Sequence, residues 1–366
     1  MPFMIQPLYY HTVYIWALFI LCLIYVLTHY SISNKRLLKK ENNLGISVVL
    51  GIIVILFLGL RPLEFAHMFG DTFTYLHMFN LLESGIGLTT DHDKEWLFRN
   101  IMEFFSATST ASNFFLFIEF IYVSGYLWAA KRIIPNNPYL ALLIILTSFS
   151  FYAYGINGIR NGMACSIICV GLSFITGNKR DRIFAILCCF FAVAIHASTI
   201  LPATMMFISV YFIKDFKWAL GFWITAIFVS LFAGNSISSL FIMIGFDDRM
   251  TSYLTQSSID GKFSHTGFRW DFLIYSAIPI FIGYYAIVKK RIEDKKYIIL
   301  LNTYILCNAF WVIVIRASFN NRFAYLSWFM YPLVLAYPFL RLNIWNNQSK
   351  KLAIAIMGNV LFSILI

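Results

Sequence analysis

The sequence predicts an all-α, polytopic transmembrane protein of about twelve helices, and three observations predict it. Of 366 residues, 60% are hydrophobic and only 12% are charged, whereas ordinary soluble domains carry roughly a quarter charged residues. Apolar runs recur at the length a bilayer demands, since a hydrocarbon core of about 30 Å takes about 20 residues of α-helix. Basic residues gather in alternate loops, the pattern that orients membrane helices. Phe, Tyr and Trp make up 19% of the chain, and Tyr and Trp collect at membrane interfaces.

The apolar segments fall approximately at 8–30, 44–60, 113–130, 139–155, 160–176, 183–196, 198–213, 218–233, 269–288, 297–315, 323–340 and 352–366. The run from Tyr9 to Tyr30 has no basic stretch before it and no small-residue cleavage site after it, so it reads as a retained helix and not a signal peptide. All six cysteines, Cys22, Cys165, Cys169, Cys188, Cys189 and Cys307, fall inside apolar runs. That placement supports neither disulfides nor a thiolate metal site. With no internal repeat, low-complexity tract or linker, the simplest organisation is one integral membrane domain over 1–366.

Six loops are basic: 31–43 with Lys35, Arg36, Lys39 and Lys40; Lys131-Arg132; Lys179 to Arg182; Lys214 and Lys217; 289–296; and 341–351. Together they hold 19 of the 28 Lys and Arg residues. The positive-inside rule makes these loops cytoplasmic and turns the N-terminus outward. They account for the net charge of +11 without a nucleic-acid partner. The only long hydrophilic stretches, 61–112 and 234–268, then both lie outside, where function is expected. Within the first, Trp96-Leu97-Phe98, Ile101-Met102 and Phe104-Phe105 share one helical face opposite Arg99, Asn100 and Glu103, the pattern of an interfacial helix.

Charged groups at or inside membrane helices are costly unless they snorkel, pair or line a wet cavity. The outer set is therefore informative: Arg61, Arg160, Arg269, Arg316 and Arg322, with Asp71, Asp271 and His196. Converging guanidiniums would suit a polyanion, because Arg presents a planar fork of donors that Lys lacks. The alternative is that each snorkels or pairs locally, and Arg269 with Asp271 reads equally well as an ion pair at a helix start. Between Arg316 and Arg322, Asn320 and Asn321 share one short outer turn, which fits polar ligand contacts. His196 lies just before Pro202, where a helix is expected to bend or break. An imidazole there can act as a general base or merely bond a freed carbonyl. No zinc-site spacing, phosphate loop, dinucleotide fingerprint or nucleophile elbow is present, so the sequence calls for no metal and no cofactor.

Several segments together resemble the EpsG-like branch of the Wzy polysaccharide (O-antigen) polymerases. They are Leu60-Arg61-Pro62 with Gly70-Asp71-Thr72 and Tyr75; Glu95 before the interfacial helix; Gly158 to Ala164 around Arg160; Ile195-His196-Ala197-Ser198 with Pro202; and Asn321-Arg322-Phe323-Ala324-Tyr325. The resemblance implies a metal-independent glycosyltransferase of GT-C-like architecture in the bacterial inner membrane, active on the periplasmic side. Such enzymes move a growing glycan from undecaprenyl diphosphate to an incoming lipid-linked repeat unit. Lipid-linked oligosaccharides and membrane lipids are then the partners, with a Wzz-type chain-length regulator and a flippase as further ones.

It also implies roles. His196 and Asp71 become the catalytic candidates, with Arg160. Arg160 and Arg322 become diphosphate ligands and Arg61 a site residue beside Tyr75, with His196 as base or orienter of the acceptor; Arg269, Asp271, Arg316, Asn320 and Asn321 join the candidate substrate site on their outer placement alone. An O-antigen ligase uses the same donor and is the nearest rival. A flippase should place its charges along a central cavity in repeated halves. An integral membrane acyltransferase would need a motif for an acyl donor, and none is found.

The topology is testable directly. Cysteines introduced at Ser84 and Ser257, in a background lacking native Cys, should react with an impermeant thiol reagent from outside the inner membrane. Protection of both until that membrane is broken would invert the orientation.

Overall fold

A computed structural model describes residues 5–87, 95–243, 268–316 and 320–365, and all of its secondary structure is helical. The outer stretch expected over 234–268 thus falls mostly outside the described residues. The chain forms two compact units, one of Met1–Ile200 with Ala336–Ile366 and one of Leu201–Leu335.

The first unit contains α1 (Tyr10–His29), a short α2 (Asn34–Leu37), α3 (Leu44–Gly59), α4 (Thr72–Glu83), α5 (Trp96–Thr108) and α6 (Ala111–Ile133). It continues through α7 (Pro138–Leu146), α8 (Phe149–Ile156), α9 (Ile159–Phe174) and α10 (Lys179–Ile195). The second unit holds α11 (Ile200–Tyr211), α12 (Phe216–Met243), α13 (Trp270–Tyr284), α14 (Lys295–Ile313) and α15 (Asn320–Trp328). The chain returns to the first unit through α16 (Tyr331–Arg341) and ends in α17 (Gln348–Leu365).

Every expected apolar segment contains a helix. Among the described residues six helices are long and apolar enough to cross a membrane, or up to eight if each of two bent pairs is one span. The number of apolar runs exceeds the number of full spans because some runs form short, enclosed helices. The 16-residue α9 buries Met163, Cys165, Ile168, Cys169 and Leu172 against its neighbours. Other helices turn apolar side chains outward, as α1 does with Trp16, Ile20 and Leu27 and α3 with Ile46, Val49 and Ile53. Such surfaces suit lipid and not water.

In the first unit, hydrogen bonds tie the basic loops together at one end. Asn34 Nδ2 donates to Asn343 Oδ1 at 2.9 Å and to the Trp345 carbonyl at 2.5 Å. Asn136 Nδ2 donates to the Leu38 carbonyl at 2.7 Å, and Arg341 donates to Asn136 Oδ1 at 2.6 Å. Arg132 pairs with Asp181 at 3.1 Å, inside an Asn178/Asp181 capping box that starts α10. The four basic loops of this unit therefore lie at one level, as their alternation along the sequence requires.

Toward the other end two helices break. The chain bends by 93° between α3 and the 3-10 turn Leu63–Phe69, and by 71° between α7 and α8. Breaks strand carbonyls that lipid cannot satisfy, and side chains from neighbouring helices take them up. Tyr10 donates to the Phe57 carbonyl. Tyr14 reaches Leu146 O at 2.7 Å, Tyr122 reaches Phe151 O at 2.9 Å, and Ser363 reaches Thr147 O at 2.8 Å. Arg61 does the most. Its guanidinium pairs with Glu119 of α6 at 3.0 Å and donates to the carbonyls of Gly155 at 2.8 Å and Ile156 at 3.3 Å, ending α8. Thr72 Oγ1 donates to the same Ile156 carbonyl at 2.6 Å. Gly70 turns the chain beside this joint at φ +59°, where a Cβ would stand 2.5 Å from Asn157 Oδ1.

The Arg61 and Glu119 side chains are both fully inaccessible. Removing one partner of such a pair leaves a buried charge, at a cost of about 3 to 5 kcal/mol. Glu119→Ala should therefore lower the melting temperature of the detergent-purified protein markedly, and Glu119→Gln, which keeps an acceptor for Arg61, should lower it less. Coincident melting of Glu119→Ala and wild type would show that the carbonyls alone satisfy the guanidinium.

Candidate active site

The segment Ile159 to His196 folds as a hairpin. Helices α9 and α10 pack along their lengths with the Lys179 to Arg182 turn at one end, so Arg160 in the first turn of α9 and His196 after the last residue of α10 meet at the other. At 1.5 Å per residue, α9 carries this end roughly 24 Å from the basic turn. His196 itself marks the break that Pro202 foretells. Its backbone is extended, at φ −146° and ψ 109°, between the end of α10 and the 3-10 turn Ala197–Thr199. Thr199 Oγ1 caps the freed His196 carbonyl at 2.7 Å.

What joins the two residues is Glu95, immediately before α5. Its Oε1 accepts a hydrogen bond from His196 Nδ1 at 2.7 Å and lies 3.3 Å from the Ala197 N–H. Its Oε2 lies 2.5 Å from Arg160 Nη1. Burial disfavours the Glu95 charge, but the hydrogen bond from His196, the Arg160 guanidinium and the Ala197 N–H outweigh it and hold the carboxyl down at about 2. Glu95 is therefore ionised at neutral pH. In a neutral His196 the proton on Nδ1 faces this carboxylate and the ring's lone pair lies on Nε2.

Aromatic rings frame the guanidinium. Arg160 Cζ lies 5.9 Å from the Tyr75 ring centroid and 5.8 Å from that of Phe98, and the two rings meet edge to face at 5.6 Å. Tyr75 comes from α4 and Phe98 from α5, whose buried side is Phe98 and Met102. The outer side of α5 carries the Arg99–Glu103 pair at 2.7 Å, as its amphipathic pattern requires. Arg160 Nε is buried and has no hydrogen-bond partner among the described residues. A guanidinium with one nitrogen on a carboxylate and another unspent can still take an anion.

The other candidates are placed differently. Arg61 is the buried partner of Glu119, one joint away from Arg160 through the Ile156-Asn157-Gly158 turn. Asp71 caps that joint: its backbone N–H donates to Asn157 Oδ1 at 2.7 Å. Arg269, Asp271, Arg316 and Arg322 belong to the second unit. There Arg269 forms the ion pair with Asp271 that the spacing allows, at 2.5 Å, with its guanidinium over Phe272 at 3.8 Å. Arg316 lies 6.0 Å from the Phe268 ring centroid, and Arg322 is exposed at the start of α15. The side chains of Asn320 and Asn321 fall outside what the structure describes.

Sequence reasoning did not place Glu95 or Glu119 at a site. Glu119 carried a readable signal, being an acid in the middle of the apolar run 113–130. Glu95 carried only its position ahead of an amphipathic helix, and its two partners are distant in sequence.

Fold and site together define a multi-pass helical membrane protein with a carboxylate-held His/Arg centre at the end of the first unit opposite its basic loops. The chain belongs to the EpsG family, whose model matches residues 46–366. Membership points to a polysaccharide polymerase-like, glycosyltransferase-like role. No curated protein and no solved structure matches the chain.

The low Glu95 pKa has a consequence for stability. A carboxyl near 4.5 when unfolded and near 2 when folded contributes stability that is fully present above about 4.5 and is lost as pH falls toward about 2. Glu95→Gln should melt below wild type at pH 7, and the gap should close as the pH is lowered through 4 toward 3. A gap that stays constant across that range would mean the carboxylate is not held ionised by His196 and Arg160.

Proposed function

We propose that this protein is a polysaccharide polymerase that transfers a growing glycan from undecaprenyl diphosphate to the nonreducing end of an incoming lipid-linked repeat unit. The observation that carries the reading is the Glu95 carboxylate shared between His196 and Arg160. One side of that arrangement suits proton removal and the other suits an anionic leaving group.

In the proposed reaction the acceptor hydroxyl attacks the anomeric carbon of the donor. His196 Nε2 takes the hydroxyl proton as the new glycosidic C–O bond forms, and Glu95 stabilises the imidazolium that results. The bond from the anomeric carbon to the diphosphate oxygen breaks, and its electron pair leaves with the lipid diphosphate. Arg160 receives the charge that develops there. Asp71 is the alternative base, and Arg61 acts by fixing the turn that carries Arg160. Guanidiniums supply the charge stabilisation that a divalent cation would otherwise give, so the reaction is proposed as metal-independent, on a GT-C-like scaffold. With the basic loops in the cytoplasm, the site opens at the periplasmic face of the bacterial inner membrane. Delivery of the lipid-linked unit by a flippase and length control by a Wzz-type partner belong to the same proposal.

Purified variants, compared at equal folded concentration by consumption of lipid-linked repeat unit, test the reading. His196→Ala and His196→Gln should both lose about 10²- to 10⁴-fold in turnover, and Arg160→Lys should collapse polymer ladders to single repeat units while insertion stays normal. Wild-type turnover in His196→Gln would remove His196 from the chemistry and leave Asp71 as the base. Wild-type ladders in Arg160→Lys would remove the diphosphate contact.

A further inference from the structure

Two basic segments more than 300 residues apart in sequence are held side by side at the end of the first unit remote from Glu95 and His196. One follows α1 and carries Lys35, Arg36, Lys39 and Lys40, all exposed, around the buried anchor Leu37. The other opens α17 and carries Lys350 and Lys351, both exposed. The lacing between them is dense. Besides the two bonds from Asn34 Nδ2, Asn34 Oδ1 accepts from the Gln348 N–H at 3.2 Å, and Ser349 Oγ donates to the Tyr30 carbonyl at 3.0 Å. Gln348 is itself fully buried and donates to the carbonyls of Phe339 and Leu342 at 2.7 Å each. The hydrogen bonds fix the relative position of the two segments.

Among the described residues no carboxylate neutralises the six cations. The acid of the first segment, Glu41, has its Oε2 occupied by the side-chain amides of Asn43 and Asn137, at 2.9 Å each. The cluster also sits at a recognisable depth. Lys350 Nζ lies 5.5 Å from the Tyr30 ring centroid and Lys351 Nζ 5.9 Å from that of Trp345, beside the apolar, outward-facing lengths of α1 and α17. Aromatic rings at the ends of apolar helices, with ammonium groups over them, occupy the headgroup layer of a bilayer. We propose that these two segments form a single composite site for the phosphate headgroup of an anionic lipid. The unpaired cations hold the phosphate, and an acyl chain lies along the adjoining apolar helices. The site is independent of the polymerase reading.

The test uses the full chain in nanodiscs of phosphatidylcholine containing a minor fraction of phosphatidylglycerol, with retained lipid counted by native mass spectrometry after transfer to neutral detergent. Wild type should retain phosphatidylglycerol in preference to phosphatidylcholine. Joint replacement of Lys35, Arg36, Lys350 and Lys351 by Gln should weaken retention at least about tenfold, since each cation near an anionic surface contributes about fivefold. Equal charge removal in the second unit, at Lys289, Lys290, Lys295 and Lys296, should change it less than about twofold. The pair Lys35→Gln with Lys350→Gln, two exposed positions, should already lose several-fold with unchanged melting. Equal loss from both quartets would reduce the effect to bulk charge and overturn the site, as would retention unaffected by either. Capture of inorganic phosphate with no preference between the two lipids would also overturn it, in favour of a soluble anion.

Discussion

A guanidinium and a carboxylate sealed away from water govern the architecture around the candidate site. Arg61 stands in the break between α3 and the turn Leu63–Phe69, Glu119 lies midway along α6, and neither side chain is accessible. The pair alone would be a weak source of stability, because desolvating two ions costs about as much as their attraction returns. Its value lies in what else Arg61 reaches. With Nη2 on Glu119, Nη1 is left to bond the carbonyls that end α8, so one side chain connects α3, α6 and α8. The turn it holds, Ile156-Asn157-Gly158, leads directly into Arg160. Thr72 and the Asp71 N–H grip the same turn from the α4 side. The joint therefore sets where Arg160 stands before any substrate contact is considered.

The two buried carboxylates of the first unit illustrate how environment divides roles between chemically similar groups. Glu119 meets Arg61 in a site closed to water, with Tyr10, Tyr14 and Tyr122 around it. Glu95 is held by two hydrogen bonds on Oε1 and an ion pair on Oε2 and stands where the side chains are partly open, with His196 at 18% and Arg160 at 12% side-chain accessibility. A sealed pair can only maintain geometry, whereas a group at the rim can exchange partners. That distinction separates the sealed Arg61 from the partly open Arg160, although both are interfacial arginines by sequence.

Much of this was legible in the sequence, and the limits have physical causes. Apolar run length located the helices, because lipid imposes a minimum length, and basic loops recovered the alternation, because four of them do share one end. The break near Pro202 and the amphipathic α5 were readable from local pattern alone. The breaks inside 44–69 and 139–155 were less so, since their freed carbonyls are satisfied by Tyr10, Tyr14, Tyr122 and Arg61 from other helices. Those pairings are tertiary and leave no local trace. The arginines were readable as a set but not as individuals, because hydropathy records that a charge is present near a helix end and says nothing of its partner. Only coordinates separate Arg61 on Glu119 from Arg160 on Glu95, and Arg269 on Asp271 from both.

A carboxylate shared by an imidazole and a guanidinium couples the two electrostatically. With Arg160 close on Oε2, part of the Glu95 charge is spent, and its support for a proton on His196 is correspondingly reduced. An anion that draws the guanidinium toward itself leaves that charge more fully to the imidazole, which stabilises the protonated form that general-base catalysis requires at the moment of attack. On the proposed reading, arrival of the lipid diphosphate at Arg160 would thus leave more of the Glu95 charge facing His196, and without donor the same carboxylate keeps Arg160 and His196 in register. On that reading, a single side chain ahead of α5 links leaving-group binding to acceptor activation across a hairpin whose two tips it holds together.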